Sequence, residues 1–199
     1  MFGHMFGVLF NPDNEWQRMA ALSDKEIKKL LPFPIVMALL PAIAFYIGTT
    51  QTGWSILGDD VTRITPESAI PISVLFYAAI IGAIIYIGWM IHWMSATYDA
   101  DSFVIKGVVL MGYACTPIFL AGLAALYPVW WFDILLATAA CGYAIRLVYL
   151  GVPAMMKVPG DRGFLYASAV FLIALVYVVL ILVATVILWE YVATPVFVD

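Results

Sequence analysis

Charge, cysteine and histidine are all scarce in this sequence. Only 11% of its 199 residues are charged, the formal net charge is −4, and there are two cysteines and two histidines. The low charge excludes an extended nucleic-acid-binding surface, because such a surface needs a dense cluster of Lys and Arg. The two cysteines lie in apolar segments and provide no disulfide framework. Zinc-protease, serine-hydrolase and phosphate-loop motifs are absent, so the sequence predicts no enzyme, no metal site and no cofactor.

Long apolar segments dominate the chain instead. It is 65% hydrophobic with a mean hydropathy of +1.02, far above what a water-soluble core of this size requires. A helix needs about 20 apolar residues to cross the hydrocarbon of a membrane. The candidate spans cover residues 32–48, 69–90, 108–127, 134–150 and 164–188. The sequence therefore predicts an all-α, polytopic transmembrane bundle with five spans.

The basic residues predict how this bundle is oriented. Along a path of five alternating spans, one side receives Arg18, Lys25, Lys28, Lys29, Lys106, Arg146, Lys157 and Arg162, whereas the other receives only Arg63. Because Lys and Arg accumulate on the cytoplasmic side, this distribution predicts a cytoplasmic N-terminus and an outer C-terminus. Aromatic residues mark the same two interfaces, with Trp89 and Trp93 at the inner one and Trp130 and Trp131 at the outer one.

The predicted organisation has three parts. Residues 1–30 form a cytoplasmic segment, residues 31–192 the transmembrane domain and residues 193–199 a short outer tail. Residues 1–10 lack the basic start of a signal peptide, so a retained cytoplasmic tail is expected. The run from Asn11 to Asp13 has the order of a helix start, and the run from Ser23 to Glu26 fits a capping box.

The two short helices that these signals predict are expected to lie on the inner membrane surface. Trp16, Met19 and Leu22 recur every three residues and are predicted to face the lipid. Lys28 and Lys29 are predicted to approach anionic headgroups. The alternative is a loose, solvated tail.

Spans three and four are predicted to form a tight antiparallel hairpin around Pro128. Cys115 and Cys141 lie thirteen residues to either side of this proline, and so at similar depth. Small residues surround both cysteines: Ala114 and Thr116 on span three, and Ala137, Ala139, Ala140 and Gly142 on span four. Such residues let helices approach closely in lipid, which predicts packing within the hairpin and offers faces for a homo-oligomer. A metal or redox pair of the two thiols is the alternative.

Span three is predicted to kink at Pro117. Proline removes a backbone donor and so frees the carbonyl group four residues earlier, that of Tyr113. One interpretation is a packing kink without a ligand. The other is a small polar pocket formed by the freed carbonyl, Thr116 and Tyr113.

Arg146 is the most suggestive charge in an apolar segment. A residue of this kind either reaches the headgroups or marks a polar cleft between helices. In the second case Tyr143 lies one turn away, and Asp99 or Asp101 from the preceding inner loop would complete an ion-pair lock. His92, Asp99 and Asp101 are further candidates for the cytoplasmic interface. A metal site that joins them with His4 is the alternative to a hydrated interfacial histidine.

The residues described above resemble the Yip family of Ypt/Rab-interacting membrane proteins, in its bacterial branch. The resemblance rests on Gly112, Tyr113 and Pro117 in span three, on the Pro128 hairpin, on Tyr143, Arg146 and Gly151, and on the segment from Asn11 to Trp16. It implies the five-span layout, a cytoplasmic N-terminus and a bacterial inner membrane. The long acidic and proline-rich domain of eukaryotic members is missing here, so their binding of small GTPases is not implied.

Two functional hypotheses follow. The first is a non-enzymatic scaffold or membrane-organising protein, whose partners are membrane lipids, a second copy of itself or another membrane or cytoplasmic protein. The alternative is a small ion or solute channel or transporter, with Tyr113, Thr116, Tyr143 and Arg146 lining a pathway between spans three and four.

Overall fold

Helices make up almost all of the regular structure. The computed structural model describes residues 1–55, 61–191 and 194–198. Within these ranges lie α1 (Phe2–Phe10), α2 (Pro12–Ala20), α3 (Asp24–Lys29), α4 (Pro32–Met37), α5 (Leu39–Ile47), α6 (Pro66–Met94), α7 (Val104–Ala114), α8 (Thr116–Ala121), α9 (Trp130–Met156) and α10 (Gly160–Tyr191). A π-helical turn, Gly48–Thr52, follows α5, and 3₁₀ turns, Ser95–Tyr98 and Gly122–Leu126, follow α6 and α8. The predicted all-α class is confirmed.

Four continuous helical segments are long and apolar enough to cross a membrane. These are the segment from Asp24 to Thr52, the segment from Pro66 to Tyr98, and helices α9 and α10. The α7 helix and the segment from Thr116 to Leu126 meet at an angle of 44°, and together they provide a fifth crossing when counted as one span. The described residues therefore contain four to five candidate spans, and each of the five predicted segments corresponds to one of them.

The bend between α7 and α8 lies where proline was predicted to produce it. Pro117 has no N–H to donate to the carbonyl group of Tyr113. The hydroxyl of Thr116 donates to that carbonyl instead, at 2.7 Å. Because Thr116 and Pro117 are both buried, the freed backbone acceptor is satisfied inside the protein.

Glycines set the closest helix approaches. At the crossing of α6 and α7, a Cβ atom added to Gly107 would stand 2.3 Å from the carbonyl oxygen of Gly88. A Cβ atom added to Gly112 would stand 2.5 Å from the Cβ atom of Pro34 in α4. Span three is therefore held between spans one and two by close contacts, with the backbone of Gly88 and the ring of Pro34, that leave no room for a side chain at either glycine.

Charged residues from four segments meet at one end of the bundle. Asp101, between α6 and α7, forms ion pairs with Lys106 at 3.4 Å and with Lys157 at 3.0 Å. Asp99 pairs with Arg162 at the start of α10. We call this end, defined by Asp99, Asp101, Lys157 and Arg162, the charged end.

A small antiparallel sheet lies elsewhere in the chain. Its strands are β1 (Arg63–Ile64) and β2 (Phe197–Val198), with Arg63 opposite Val198. The predicted outer tail thus pairs with the segment that precedes α6. The predicted boundary between the transmembrane domain and this tail falls at residues 192 and 193, outside the described residues.

Both predicted helix starts in the first 30 residues are confirmed. Helix α2 begins at Pro12, and α3 begins after Ser23 with both bonds of a capping box. The prediction that Trp16 and Met19 face lipid is wrong, because both side chains are fully buried. The Trp16 ring packs on Gly151 of α9, where an added Cβ atom would stand 2.9 Å from the ring. Packing against α9 removes more apolar surface than the membrane interface would.

Candidate functional site

The first ten residues, which were expected to form a retained cytoplasmic tail, form a docked helix. Helix α1 contacts α2, α7 and α8, and it buries Met5 and Val8 against them. The sequence contains a signal for this, since a short apolar run is typical of interfacial or re-entrant segments. Its partners in α7 and α8, however, lie about a hundred residues away along the chain.

Two tyrosines hold the two ends of α1. The hydroxyl of Tyr113, in α7, donates to the carbonyl oxygen of Met1 at 2.9 Å. The hydroxyl of Tyr143, in α9, donates to the carbonyl oxygen of Leu9 at 2.5 Å. We call Tyr113 and Tyr143 the tyrosine anchors. Both were predicted from the sequence as candidate functional residues, and the structure places them at opposite ends of the same helix.

An aromatic cluster reinforces the first anchor. The Tyr113 ring stacks on Phe33, with centroids 4.0 Å apart and planes 7° apart. Phe2 meets Phe33 edge-on at 6.1 Å, and His4 meets Tyr113 edge-on at 6.4 Å. Edge-to-face and offset-stacked rings at these separations are favourable arrangements, so α1 is fixed by packing as well as by hydrogen bonds.

A buried carboxylate joins α1 to α2. Glu15 is 6% exposed, and its Oε1 atom lies 2.5 Å from Nδ1 of His4, while its Oε2 atom lies 3.5 Å from Arg18. Gly7 permits this approach, because an added Cβ atom would stand 2.3 Å from Oε2 of Glu15. A carboxylate this deeply buried needs partners of this kind, since burial of an unpaired charge is costly. Sequence reasoning did not single out Glu15.

Polar groups of the predicted pathway are bonded within the protein. Tyr113 and Thr116 are fully buried, and their hydroxyls donate to Met1 and Tyr113 respectively. Gly112 is covered by Pro34. The residues predicted to form a polar pocket are thus brought together, but their arrangement matches the packing-kink interpretation.

The predicted ion-pair lock at Arg146 is wrong. None of the acids in the described parts of the chain forms an ion pair with Arg146, because Asp99 and Asp101 pair with the basic residues of the charged end. Arg146 lies eleven residues before Lys157 along α9, a rise of about 16 Å that separates it from those acids. Its guanidinium carbon lies 5.6 Å from the centroid of the Tyr143 ring, and the side chain is exposed.

Asp101 organises the charged end. Lys106 donates to its backbone carbonyl oxygen at 2.7 Å, although the lysine is only 4% exposed. The Lys157 ammonium, hydrogen-bonded to Asp101, holds the pKa of that carboxyl below its ordinary value, and the positive charge of Lys106 adds to this effect. This arrangement ties the inter-helix loop to the end of α9.

The residues considered as metal ligands do not meet. His4 pairs with Glu15, Asp99 with Arg162 and Asp101 with two lysines, whereas His92 is half-buried with no bonded partner on Nδ1. Within residues 1–55, 61–191 and 194–198, no three His, Cys, Asp or Glu side chains are arranged to hold a metal ion.

Two sets of residues point away from the fold. Lys28 and Lys29 are exposed at the end of α3, which is compatible with their predicted approach to headgroups. On α9, Ala140 packs inward as predicted, and Ala144 is buried too. The prediction that Ala137, Ala139, Cys141 and Gly142 also pack within the hairpin is wrong, because these residues are exposed. An exposed small-residue face on the same helix consists of Ala137, Thr138, Ala139, Cys141 and Gly142. Gly142 has no atom within 4 Å of an added Cβ position.

These features together define a polytopic helical membrane protein whose central polar side chains serve internal packing. The chain matches the Yip1 domain over residues 6–182, and it belongs to that family. It is 31% identical over 188 residues to "Inner membrane protein YohC" of Escherichia coli strain K12. The aligned region covers 94% of this chain and 96% of the relative. The protein of the same name from Escherichia coli O6:H1 strain CFT073 matches equally. No solved structure matches. The chain is therefore an integral inner-membrane protein of the Yip family.

Proposed function

We propose that this protein is a non-enzymatic membrane-organising or scaffold protein of a bacterial inner membrane, with five spans and a cytoplasmic N-terminus. The observation that carries the proposal is that most of the surface of α10 does not pack against the rest of the protein. The buried residues of this 32-residue helix are Gly163, Tyr166, Ala167 and Val170, and all four lie at or before its eleventh residue. A membrane helix with so little internal packing has most of its surface available to lipid or to other helices.

The small-residue face of α9 supports self-association. Ala137, Ala139 and Gly142 lie on the surface of a candidate span, where small residues let a second helix approach closely. We propose a second copy of this chain as the partner, because a face on a single span can meet its own copy about a twofold axis. Another membrane or cytoplasmic protein is the competing partner.

The transport alternative has less support. Its pathway would need free polar groups along spans three and four, whereas the hydroxyls of Tyr113, Thr116 and Tyr143 are bonded to backbone carbonyl groups. Backbone and side-chain groups that coordinate a permeating ion must line a hydrated cavity.

The two cysteines provide the test of self-association. Cys141 lies in the small-residue face and is exposed, whereas Cys115 is half-buried within the bundle. Oxidation of native membranes with copper phenanthroline should give a disulfide-linked dimer. The dimer should be lost in Cys141→Ala and kept in Cys115→Ala.

Absence of a dimer, together with a monomeric mass in nanodiscs, would contradict self-association and direct attention to a different partner. Ion or solute flux through proteoliposomes that disappears in Thr116→Val would contradict the scaffold proposal as a whole.

A further inference from the structure

Helix α1 is apolar on the face that it turns away from the bundle as well as on the face that it buries. Phe2, Phe6 and Phe10 recur every four residues and therefore form one stripe along the helix. Their exposed fractions are 47%, 56% and 82%. An outward stripe of three large aromatic side chains is unfavourable in water.

The surface character changes abruptly at Asn11. On α2, the exposed side chains are those of Asp13, Asn14, Gln17 and Arg18, and all four are polar. Both helices pack against the same bundle, yet the exposed face of α1 consists of phenylalanine and that of α2 consists of polar side chains. This contrast places α1 in an apolar environment and α2 in a polar one.

The positions of the two helices along α9 agree with this difference. Leu9 is bonded to Tyr143, whereas Trp16 of α2 packs on Gly151, eight residues further along α9. From the exposed Trp130 that begins α9, Tyr143 lies about 20 Å away and Gly151 about 32 Å away. A hydrocarbon core of about 30 Å that begins at Trp130 therefore contains Tyr143 and ends near Gly151.

We propose that α1 is a non-spanning helix embedded in the hydrocarbon of one leaflet, namely the leaflet nearer the charged end. Its partner is lipid: the stripe of Phe2, Phe6 and Phe10 contacts acyl chains, while α2 lies at the headgroups. The tyrosine anchors hold α1 at this depth. The Tyr143 hydroxyl satisfies the carbonyl oxygen of Leu9, which lies in the last turn of α1, where carbonyl groups have no intrahelical donor. The Tyr113 hydroxyl adds a second bond at the other end of the helix.

This proposal does not depend on self-association through α9. It assigns a lipid-contacting role to a segment that the sequence predicted to be a cytoplasmic tail. A helix inserted into one leaflet alone occupies area in that leaflet, so α1 provides a direct physical means of acting on the membrane.

Cysteine accessibility tests the depth of α1. In a variant carrying Cys115→Ala and Cys141→Ala, single substitutions Phe6→Cys, Phe10→Cys and Gln17→Cys are made in the full chain and reconstituted into phospholipid vesicles. The vesicles are opened by freezing and thawing, so that a membrane-impermeant maleimide reaches both faces. Gln17→Cys, on the exposed face of α2, is the matched control.

We expect both phenylalanine positions to react about tenfold more slowly than the control, because an embedded thiol is shielded from water and from deprotonation. All three variants should react at similar rates in denaturing detergent. A fluorophore attached at position 6 should be quenched by brominated acyl chains. Equal reaction rates in vesicles would place α1 in water and overturn the proposal. Slow reaction without quenching by brominated lipid would mean that protein covers the stripe, which would also overturn it.

Discussion

The hydroxyl of Tyr143 donates a hydrogen bond to the carbonyl oxygen of Leu9, which lies 134 residues earlier in the chain and 2.5 Å away in space. This bond fixes the end of α1 to the middle of α9. At the other end of α1, Tyr113 binds the carbonyl oxygen of Met1. The two bonds convert a short apolar segment, which cannot remain helical on its own, into part of the bundle.

Removal of one anchor should loosen α1 without unfolding the protein. We expect Tyr143→Phe to reduce the free energy of unfolding by about 0.5–1 kcal/mol, as for other side-chain hydrogen bonds in membrane proteins. Hydrogen exchange should increase in residues 2–10. Tyr177→Phe is the control, because it removes a similar bond, from Tyr177 to the carbonyl oxygen of Ala79, that is remote from α1. Equal exchange of α1 in both variants would show that Tyr143 does not hold it.

The glycines of the bundle should respond very differently to the same substitution. Gly107→Ala places a Cβ atom 2.3 Å from a carbonyl oxygen of α6, so the helices must separate. We expect a loss of about 1–3 kcal/mol in the free energy of unfolding. Gly142→Ala meets no atom within 4 Å and should be neutral or stabilising by up to about 1 kcal/mol.

Thermal unfolding in detergent measures both effects. A Gly107→Ala protein that melts with the wild type would show that α6 and α7 do not cross as closely as the structure indicates. A destabilised Gly142→Ala protein would mean that the exposed face of α9 is already occupied in detergent, as in a stable oligomer.

Local sequence signals predicted a large part of this fold. The start of α2 follows from Pro12, and the start of α3 follows from the capping box at Ser23. The bend between α7 and α8 follows from Pro117. Each signal concerns backbone donors and acceptors within one helical turn, so a single sequence contains all the information required.

Long-range contacts account for what the sequence did not reveal. Trp16 was predicted to face lipid because its spacing fits an interfacial helix, but spacing does not distinguish a membrane surface from a protein surface. The docking of α1 depends on tyrosines more than a hundred residues away. Arg146 was assigned an acidic partner because the predicted topology places it on the same side as the inner loop that contains Asp99 and Asp101. A rise of about 16 Å along α9 separates Arg146 from the charged end.

Stability should depend on the ionisation of Asp101 and not on Arg146. The pKa of Asp101 is lowered in the folded state, chiefly by Lys157. The carboxylate therefore contributes fully to the free energy of unfolding above the unfolded pKa of about 3.9, and this contribution is lost as the pH falls through the folded pKa. We expect Asp101→Asn to melt at a lower temperature than the wild type at pH 7. The effect should be below about 1 kcal/mol, because the carboxylate is largely exposed.

The pH series provides the check. The difference between Asp101→Asn and the wild type should shrink as the pH falls from about 4 through the lowered folded pKa of Asp101, and it should vanish only below that pKa, where the carboxyl group is protonated in both states. Arg146→Leu should leave the midpoint unchanged at every pH, since no described acid pairs with Arg146. A clear loss of stability in Arg146→Leu would restore the lock hypothesis.

Substitution of two tryptophans near the charged end should distinguish a ring that is buried in the protein from a ring that contacts the membrane. Trp16 is fully buried against Gly151, whereas Trp93 is 65% exposed near the end of α6. We expect Trp16→Ala to lose about 3–5 kcal/mol of stability, because it leaves a cavity between α2 and α9 that neither helix can close while α1 is anchored. Trp93→Ala removes a ring that contacts the surroundings and should change the melting midpoint little. A Trp16→Ala protein that melts like the wild type but associates more weakly with lipid would contradict this prediction. That result would mean that the Trp16 ring faces the membrane, because removal of a lipid-facing ring leaves no cavity in the bundle.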